Sequence, residues 1–315
     1  MKISKFISSS FKRMSNALQL ILLLAVTVGI SLLFYANPAI TGVSSAYVLG
    51  HSNTILHNGI GGGNIIGNCM AGKKALPIYC VDMESKQNSS ADSSGENHIS
   101  DTTDATNAST SEKKYISISF DAAWGAEDTV QILDILDKHN VKTTFFMTGG
   151  WVNDFPDMVK EIHSRGHDLG NHSQNHKHMS KLSVAEQQDE INKVTNSVRE
   201  LTGYEMFLFR PPYGDYNSTL IETVYGCNYY PVQWSVDSLD WKDYGVEKLI
   251  KTVTKHKNLD NGAIILMHNG AKYTAAALEN IITTLQAEGY TFVPLSELII
   301  RDNFHMDANG MQIAD

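Results

Sequence analysis

The side chains best suited to chemistry fall in a few short clusters of the 315-residue chain. His172 and His176 stand in the stretch Gly170-Asn171-His172-Ser173-Gln174-Asn175-His176. One helical turn here would point both imidazoles the same way. Two neutral imidazoles converging on a point make half of a site for zinc or another first-row divalent ion. A polar surface loop that happens to carry histidines, His178 among them, is the plainer alternative. Four other clusters carry chemistry-bearing types: Asp121, the run Arg210-Pro211-Pro212-Tyr213-Gly214, the run Asp237-Ser238-Leu239-Asp240-Trp241, and His268-Asn269.

What must position them is a set of strands. Each cluster directly follows an apolar run: SISF before Asp121, HDLG before Asn171, MFLF before Arg210, PVQWSV before Asp237, and AIILM before His268. In a β/α barrel the C-terminal strand ends form one rim, where active sites are built. A single polar cluster is most simply a solvated loop. Five at the same end of successive strands point to a site.

The wider pattern agrees. Strand candidates at 115–120, 142–147, 167–170, 206–209, 229–236, 263–267 and 290–293 alternate with helix candidates at 129–139, 156–165, 184–202, 218–225, 246–256, 275–288 and 295–300. Glycines at 166, 203, 226 and 289 close several of the helices. About seven β/α units in series predict an α/β domain over 114–300, with a parallel sheet closed or nearly closed into a barrel.

The N-terminal part reads differently. Residues 1–16 are basic and carry no acid, and Ala17 to Ala36 is almost purely apolar, close to the ~20 residues that cross a bilayer. The positive flank predicts a cytoplasmic N-terminus and an exported remainder. A retained anchor in the cell membrane is the expectation; cleavage near Ser44-Ser45-Ala46 and secretion is the alternative. Residues 37–75 read as a Gly/Asn-rich linker, 76–83 as a short strand, 84–113 as a disordered polar insert and 301–315 as a polar tail. Net charge is −9 with no basic cluster in the folded part, which argues against a nucleic-acid partner. No obligate protein partner is evident. Of the three cysteines, Cys69 and Cys80 could close a short loop, leaving Cys227 free, or all three could stay thiols.

The set SFDxxWG, NHSxxH, RPPYG, DSxDW and LMHN, running from Tyr115 to Ile300, resembles the polysaccharide deacetylase family, also called NodB-homology or carbohydrate esterase 4. The resemblance implies a distorted (β/α)7-type barrel and metal-dependent removal of acetyl groups from an acetylated glycan such as peptidoglycan or chitin-like chains. It implies zinc as the foremost metal, with cobalt, nickel or manganese as other ions. His172 and His176 would be ligands, with Asp121 as the general base. Arg210 would hold Asp121 ionised. His268 would act as general acid, with Asp240 raising its pKa. The Tyr213 backbone N–H would support the oxyanion. Trp241, Leu266, Pro211 and Pro212 would line the substrate pocket.

One departure stands out. The family's first motif is an Asp-Asp pair whose second member is the third metal ligand; here that position is Ala122. A methyl group cannot ligate. Asp121 itself could reach the metal, or Glu127 or Asp128 could substitute, or the metal site is impaired and the protein is a glycan-binding module of the same fold. Glu127 and Asp128 also read simply as acids favouring the dipole of the helix that follows.

Overall fold

The computed structural model describes residues 75–92 and 113–315. The expected basic N-terminus, anchor and most of the linker, with Cys69, lie outside the described residues. No helix among the described residues is long and apolar enough to cross a membrane.

The domain is an α/β unit around one curled parallel sheet. Its strands are β2 (Lys114–Ala122), β3 (Thr144–Met147), β4 (Asp168–Asn171), β5 (Leu208–Phe209), β6 (Tyr230–Pro231), β7 (Val236–Asp237) and β8 (Ile264–His268), in the order β6-β5-β4-β3-β2-β8-β7. Every pairing along this path is parallel, and β9 (Tyr290–Phe292) adds to the start of β2. Parallel pairing needs crossovers, and α2 (Thr129–Lys138), α3 (Gly149–Asp154), α4 (Pro156–Ser164), α5 (Val184–Thr202), α6 (Ser218–Gly226), α7 (Val246–Thr254) and α8 (Thr274–Ala287) supply them. The core lies between strands and helices. Ile116, Ile118 and Phe120 on β2 pack with Ile132, Leu133 and Leu136 on α2 and with Leu278, Ile281 and Ile282 on α8.

The single strand expected over 229–236 is two. Its first part pairs with β5 and its second with β8, so one short run supplies both edges of the sheet and curls it back on itself. The N-terminal segment crosses the same gap. Ile78 bridges Val232, and Cys80 bridges Ala263. The expected barrel is therefore present in a distorted form, with its seam spanned by residues 78–81.

One expectation needs correction, and one stretch left open takes a definite form. The insert expected to be disordered begins with a helix, α1 (Met83–Asp92). The Asp82 carboxylate accepts from the N–H groups of Glu84 and Ser85, and the Lys86 ammonium caps the carbonyls of Glu297, Leu298 and Ile299 at the end of α9 (Leu295–Leu298). The Asp82 cap at its start and the distant Lys86 contact with α9 hold a helix that has almost no apolar face of its own. The stretch read only as a polar tail makes β10 (Phe304–Met306) and β11 (Met311–Ala314), which form a small sheet with β1 (Cys80–Val81). Phe304 anchors it in the core beside Tyr230 and Leu298. Cys80 and Cys227 are free thiols.

Helix ends follow the sequence closely. Ser183 and Glu186 form a reciprocal capping box at the start of α5, and Gly203 ends it in the left-handed conformation at φ 73°. Asp168 on β4 accepts from Thr144 Oγ1 and from the backbone N–H of Ser296, tying α9 to the sheet.

Candidate active site

The site is assembled where β2, β4, β5, β7 and β8 end. In register, Asp121 on β2 sits beside His268 on β8, and Asn171 on β4 sits beside Phe209 on β5. The residue after each of the latter two is His172 or Arg210. Sheet register alone thus brings four of the five sequence clusters together.

Asp121 and Arg210 form a buried ion pair, with Arg210 Nη1 donating to Asp121 Oδ1 at 2.8 Å. Arg210 is fully buried. Its Nη2 donates to the Gln233 carbonyl at 3.1 Å, and its guanidinium lies 4.1 Å from the Phe146 ring centroid. Gly170 makes room for that ring: a Cβ there would lie 2.5 Å from Phe146 Cδ1. Burial by itself would push the Asp121 carboxyl up, but the Arg210 charge, helped by His172 and His268, outweighs it and holds the carboxyl below its ordinary value of 3.8. Asp121 is therefore an ionised carboxylate at neutral pH.

On the other side of β2, His268 Nδ1 donates to Asp240 Oδ1 at 2.7 Å. The second Asp240 oxygen accepts from the His268 backbone N–H and from Thr274 Oγ1, both at 2.7 Å. Asp240 is buried within a 3₁₀ turn whose flanking residues, Leu239 (φ 56°) and Asp243 (φ 53°), adopt left-handed backbone. Such strain in non-glycine residues persists only where the surroundings fix it. Burial would lower the His268 pKa, but Asp240 more than offsets this and raises it above 6.5.

The imidazole pair is held differently. Residues 172–178 make no helical turn; Ser173 (φ 64°) and His176 (φ 51°) take left-handed backbone in a loop. The loop is pinned by Ser173 N–H to Asn171 Oδ1 and His176 N–H to Ser173 Oγ, and by Asn175 bound twice to Glu190. It still brings the two rings to a centroid distance of 4.9 Å. His172 Nδ1 donates to the Arg210 carbonyl at 2.7 Å, which leaves Nε2 as the lone-pair nitrogen, 3.5 Å from Asp121 Oδ2. Burial pushes both imidazoles down, His176 to about 4 with help from the neighbouring His172. Both are neutral at pH 7, as ligands must be.

A metal ion nevertheless finds an incomplete donor set. Ala122 is buried in the hydrophobic core. Asp128, one suggested substitute, has its Oδ1 bound to the Gly270 N–H at 2.7 Å, and Glu127 is exposed and folds over Gly125. Asp121 already serves Arg210. Among the described residues no three His, Cys, Asp or Glu side chains are grouped to hold a metal ion. Two imidazoles fit half of such a site, and the residues present do not fit the closed three-ligand site that the resemblance implies.

The remaining expected residues line the same rim. Tyr213 has left-handed backbone (φ 60°) in a 3₁₀ turn, and its exposed ring stacks on His178 at 4.4 Å and meets His176 edge-on. Pro211 and Pro212 are buried beneath it. Leu266 is buried within β8, whereas Trp241 is 53% exposed with the Lys242 ammonium 4.8 Å from its ring centroid. Trp241 is thus a lip of the rim rather than an enclosed wall. Sequence reading gave no role to Thr274, Gln233 or Trp124, the last a member of the SFDxxWG motif. Only the sheet register and loop contacts reveal them.

A family model for polysaccharide deacetylase matches residues 108–232, which include Asp121, His172, His176 and Arg210. The peptidoglycan-N-acetylmuramic acid deacetylase PdaA of Bacillus subtilis is 34% identical over 197 residues, 62% of this chain and 74% of that one. The chain belongs to the polysaccharide deacetylase family. The peptidoglycan-N-acetylglucosamine deacetylase PgdA of Listeria monocytogenes is 38% identical over 185 residues, 59% of this chain, and the match spans only 39% of PgdA. Among solved structures, BA3943 of Bacillus anthracis, a CE4 family pseudoenzyme, superposes with a TM-score of 0.57 at 32% identity, covering 62% of this chain and 70% of that one. A mutant of that protein has restored enzymatic activity.

Proposed function

We propose that the protein is a hydrolase that removes N-acetyl groups from an extracytoplasmic glycan, with peptidoglycan as its substrate. The observation that carries this reading is the pair of dyads on neighbouring strands: Asp121 with Arg210, and His268 with Asp240. Relatives that act on N-acetylglucosamine and N-acetylmuramic acid in peptidoglycan support the substrate class.

In this reading Asp121 is ionised and takes a proton from the attacking water. Arg210 holds that carboxylate in place and in its charged form. The carbonyl oxygen gains negative charge as the tetrahedral centre forms, and the backbone N–H of Tyr213 is the donor assigned to it. His268, kept protonated by Asp240, gives its proton to the departing sugar amine. A divalent ion, where complete sites exist, lowers the pKa of a water and polarises the carbonyl. The donor set here supports no step through one. Placement of the domain outside the membrane, anchored by residues 17–36, is part of the same proposal.

A second reading has its own support. Ala122 and the similarity to a CE4 pseudoenzyme favour a module that binds cell-wall glycan without turnover. Acetate release from N-acetylglucosamine oligomers and from peptidoglycan, with and without added zinc or cobalt, separates the two. Release from any of these substrates supports the hydrolase. Retention of the glycan with no release across all of them supports the binding module.

A further inference from the structure

Trp124 is absent from the set of roles the resemblance implies, yet it is built directly onto one of them. Its indole stacks on the His268 imidazole, with ring centroids 5.4 Å apart and planes 21° from parallel. The stack is held from behind. Gly270 sits at φ 76°, and a Cβ there would lie 3.0 Å from Trp124 Cδ1 and 3.2 Å from its Nε1. The Gly270 N–H donates to Asp128 Oδ1. Asn269 Nδ2 donates to the Gly125 carbonyl and to Thr129 Oγ1, both at 3.1 Å, and Trp151 Nε1 donates to the same Gly125 carbonyl. The loop after β2 is therefore clamped to the loop after β8, and the clamp sets the indole on the imidazole. Asp128, weighed as a metal ligand, is one jaw of this clamp.

We propose that Trp124 is a positioning residue that fixes the His268 ring on Asp240 and shields their hydrogen bond from water. The reasoning is geometric. Asp240 binds Nδ1 along the ring edge and so leaves the ring free to tilt about that bond. A flat indole on one face removes the tilt. It also covers the face from which water would compete: the His268 side chain is 12% exposed and that of Asp240 is fully buried, while Trp124 itself is 45% exposed. An acid misplaced by about 1 Å loses on the order of 100-fold in rate.

The inference rests on the hydrolase reading for its rate consequence and on the structure alone for its shielding consequence, so its test has two arms. The first is kcat and KM for acetate release from an N-acetylglucosamine pentamer by the full chain and its Trp124→Ala and Trp124→Phe variants. The second is exchange of the His268 Nδ1–H proton with water, read by NMR on histidine-labelled protein. Trp124→Ala is expected to lower kcat by about 10- to 100-fold with KM within about twofold, and to lose the protected Nδ1–H signal. Trp124→Phe, which keeps a flat ring, is expected to restore both. A rise in KM at unchanged kcat would make Trp124 a sugar platform and overturn the proposal. Unchanged Nδ1–H protection in Trp124→Ala would overturn it as well. Where wild-type protein releases no acetate, the hydrolase reading fails, and the exchange arm alone decides this one.

Discussion

The two halves of the rim are finished to different degrees. On the β7–β8 side, both oxygens of Asp240 are used, His268 is hydrogen-bonded and stacked, and a strained turn holds the pair in place. On the β4 side, two neutral imidazoles face an ionised carboxylate, with a methyl group at the third ligand position. The two halves share one residue. Arg210 binds Asp121 through its guanidinium and His172 through its carbonyl. The difference teaches that the two dyads are held by strand register and buried ion pairs, with no third His, Cys, Asp or Glu grouped with the histidine pair to hold a metal ion among the described residues.

The largest effect is expected at the shared residue. Arg210→Met leaves Asp121 as a buried, unpaired carboxylate, and loss of one partner of such a pair costs about 3–5 kcal/mol. Chemical denaturation should show this loss. A change under about 1 kcal/mol would mean that the two halves are not tied through Arg210.

Asp240→Asn acts on the finished half alone. It removes the carboxylate that raises the His268 pKa, so the alkaline limb of the pH–rate profile should move to lower pH. At neutral pH the rate should fall by about 10- to 100-fold. The acid limb, set by Asp121, should stay in place. Movement of both limbs would break the assignment of separate roles.

Stability should depend on pH with opposite signs in the two halves. The folded His176 pKa lies below the ordinary 6.5, at about 4. Its contribution is present above pH 6.5 and is lost as pH falls toward 4, because the unfolded chain binds the proton first. The folded His268 pKa is raised, so its contribution is full below pH 6.5 and is lost as pH rises through the folded value. In chelator-treated protein, His176→Gln should flatten the acid side of the stability curve by about 1–2 kcal/mol, allowing for partial solvent screening. A flattened alkaline side instead would reverse the assignment.

The smallest effect expected is a gain. Ala122→Asp supplies the missing carboxylate, and zinc affinity, measured by chelator competition, should rise by about 10-fold or more. Unchanged affinity with a lower melting temperature would mean that the new side chain turns into the core.

Much of this site is legible in the sequence. Apolar runs marked the strands that end at Asp121, His172, Arg210, Asp237 to Asp240 and His268, and Gly203 marked the end of α5, while its Ser183–Glu186 capping box emerged only in the structure. The rest depended on contacts between residues distant in the chain. The split of 229–236 into β6 and β7 comes from closure of the sheet, which no local pattern encodes. Helix α1 and the β10–β11 hairpin are stabilised by partners more than two hundred residues apart in the case of Lys86 with Leu298 and Ser85 with Ala314. The spacing of the histidine pair suggested a helical turn, but left-handed Ser173 and His176 reached the same convergence by a loop. Trp124 stood in the SFDxxWG motif without a role, and its stack on His268 supplies one.

If the two dyads carry the proton transfers of a deacetylase, turnover needs both of them. The most direct test is acetate release from peptidoglycan at pH 7 by the full chain, compared with its Asp121→Asn and His268→Ala variants under the same zinc supply. Measurable release by the wild type and a loss of at least about 100-fold in each variant are expected. Wild-type rates retained in either variant would contradict this requirement.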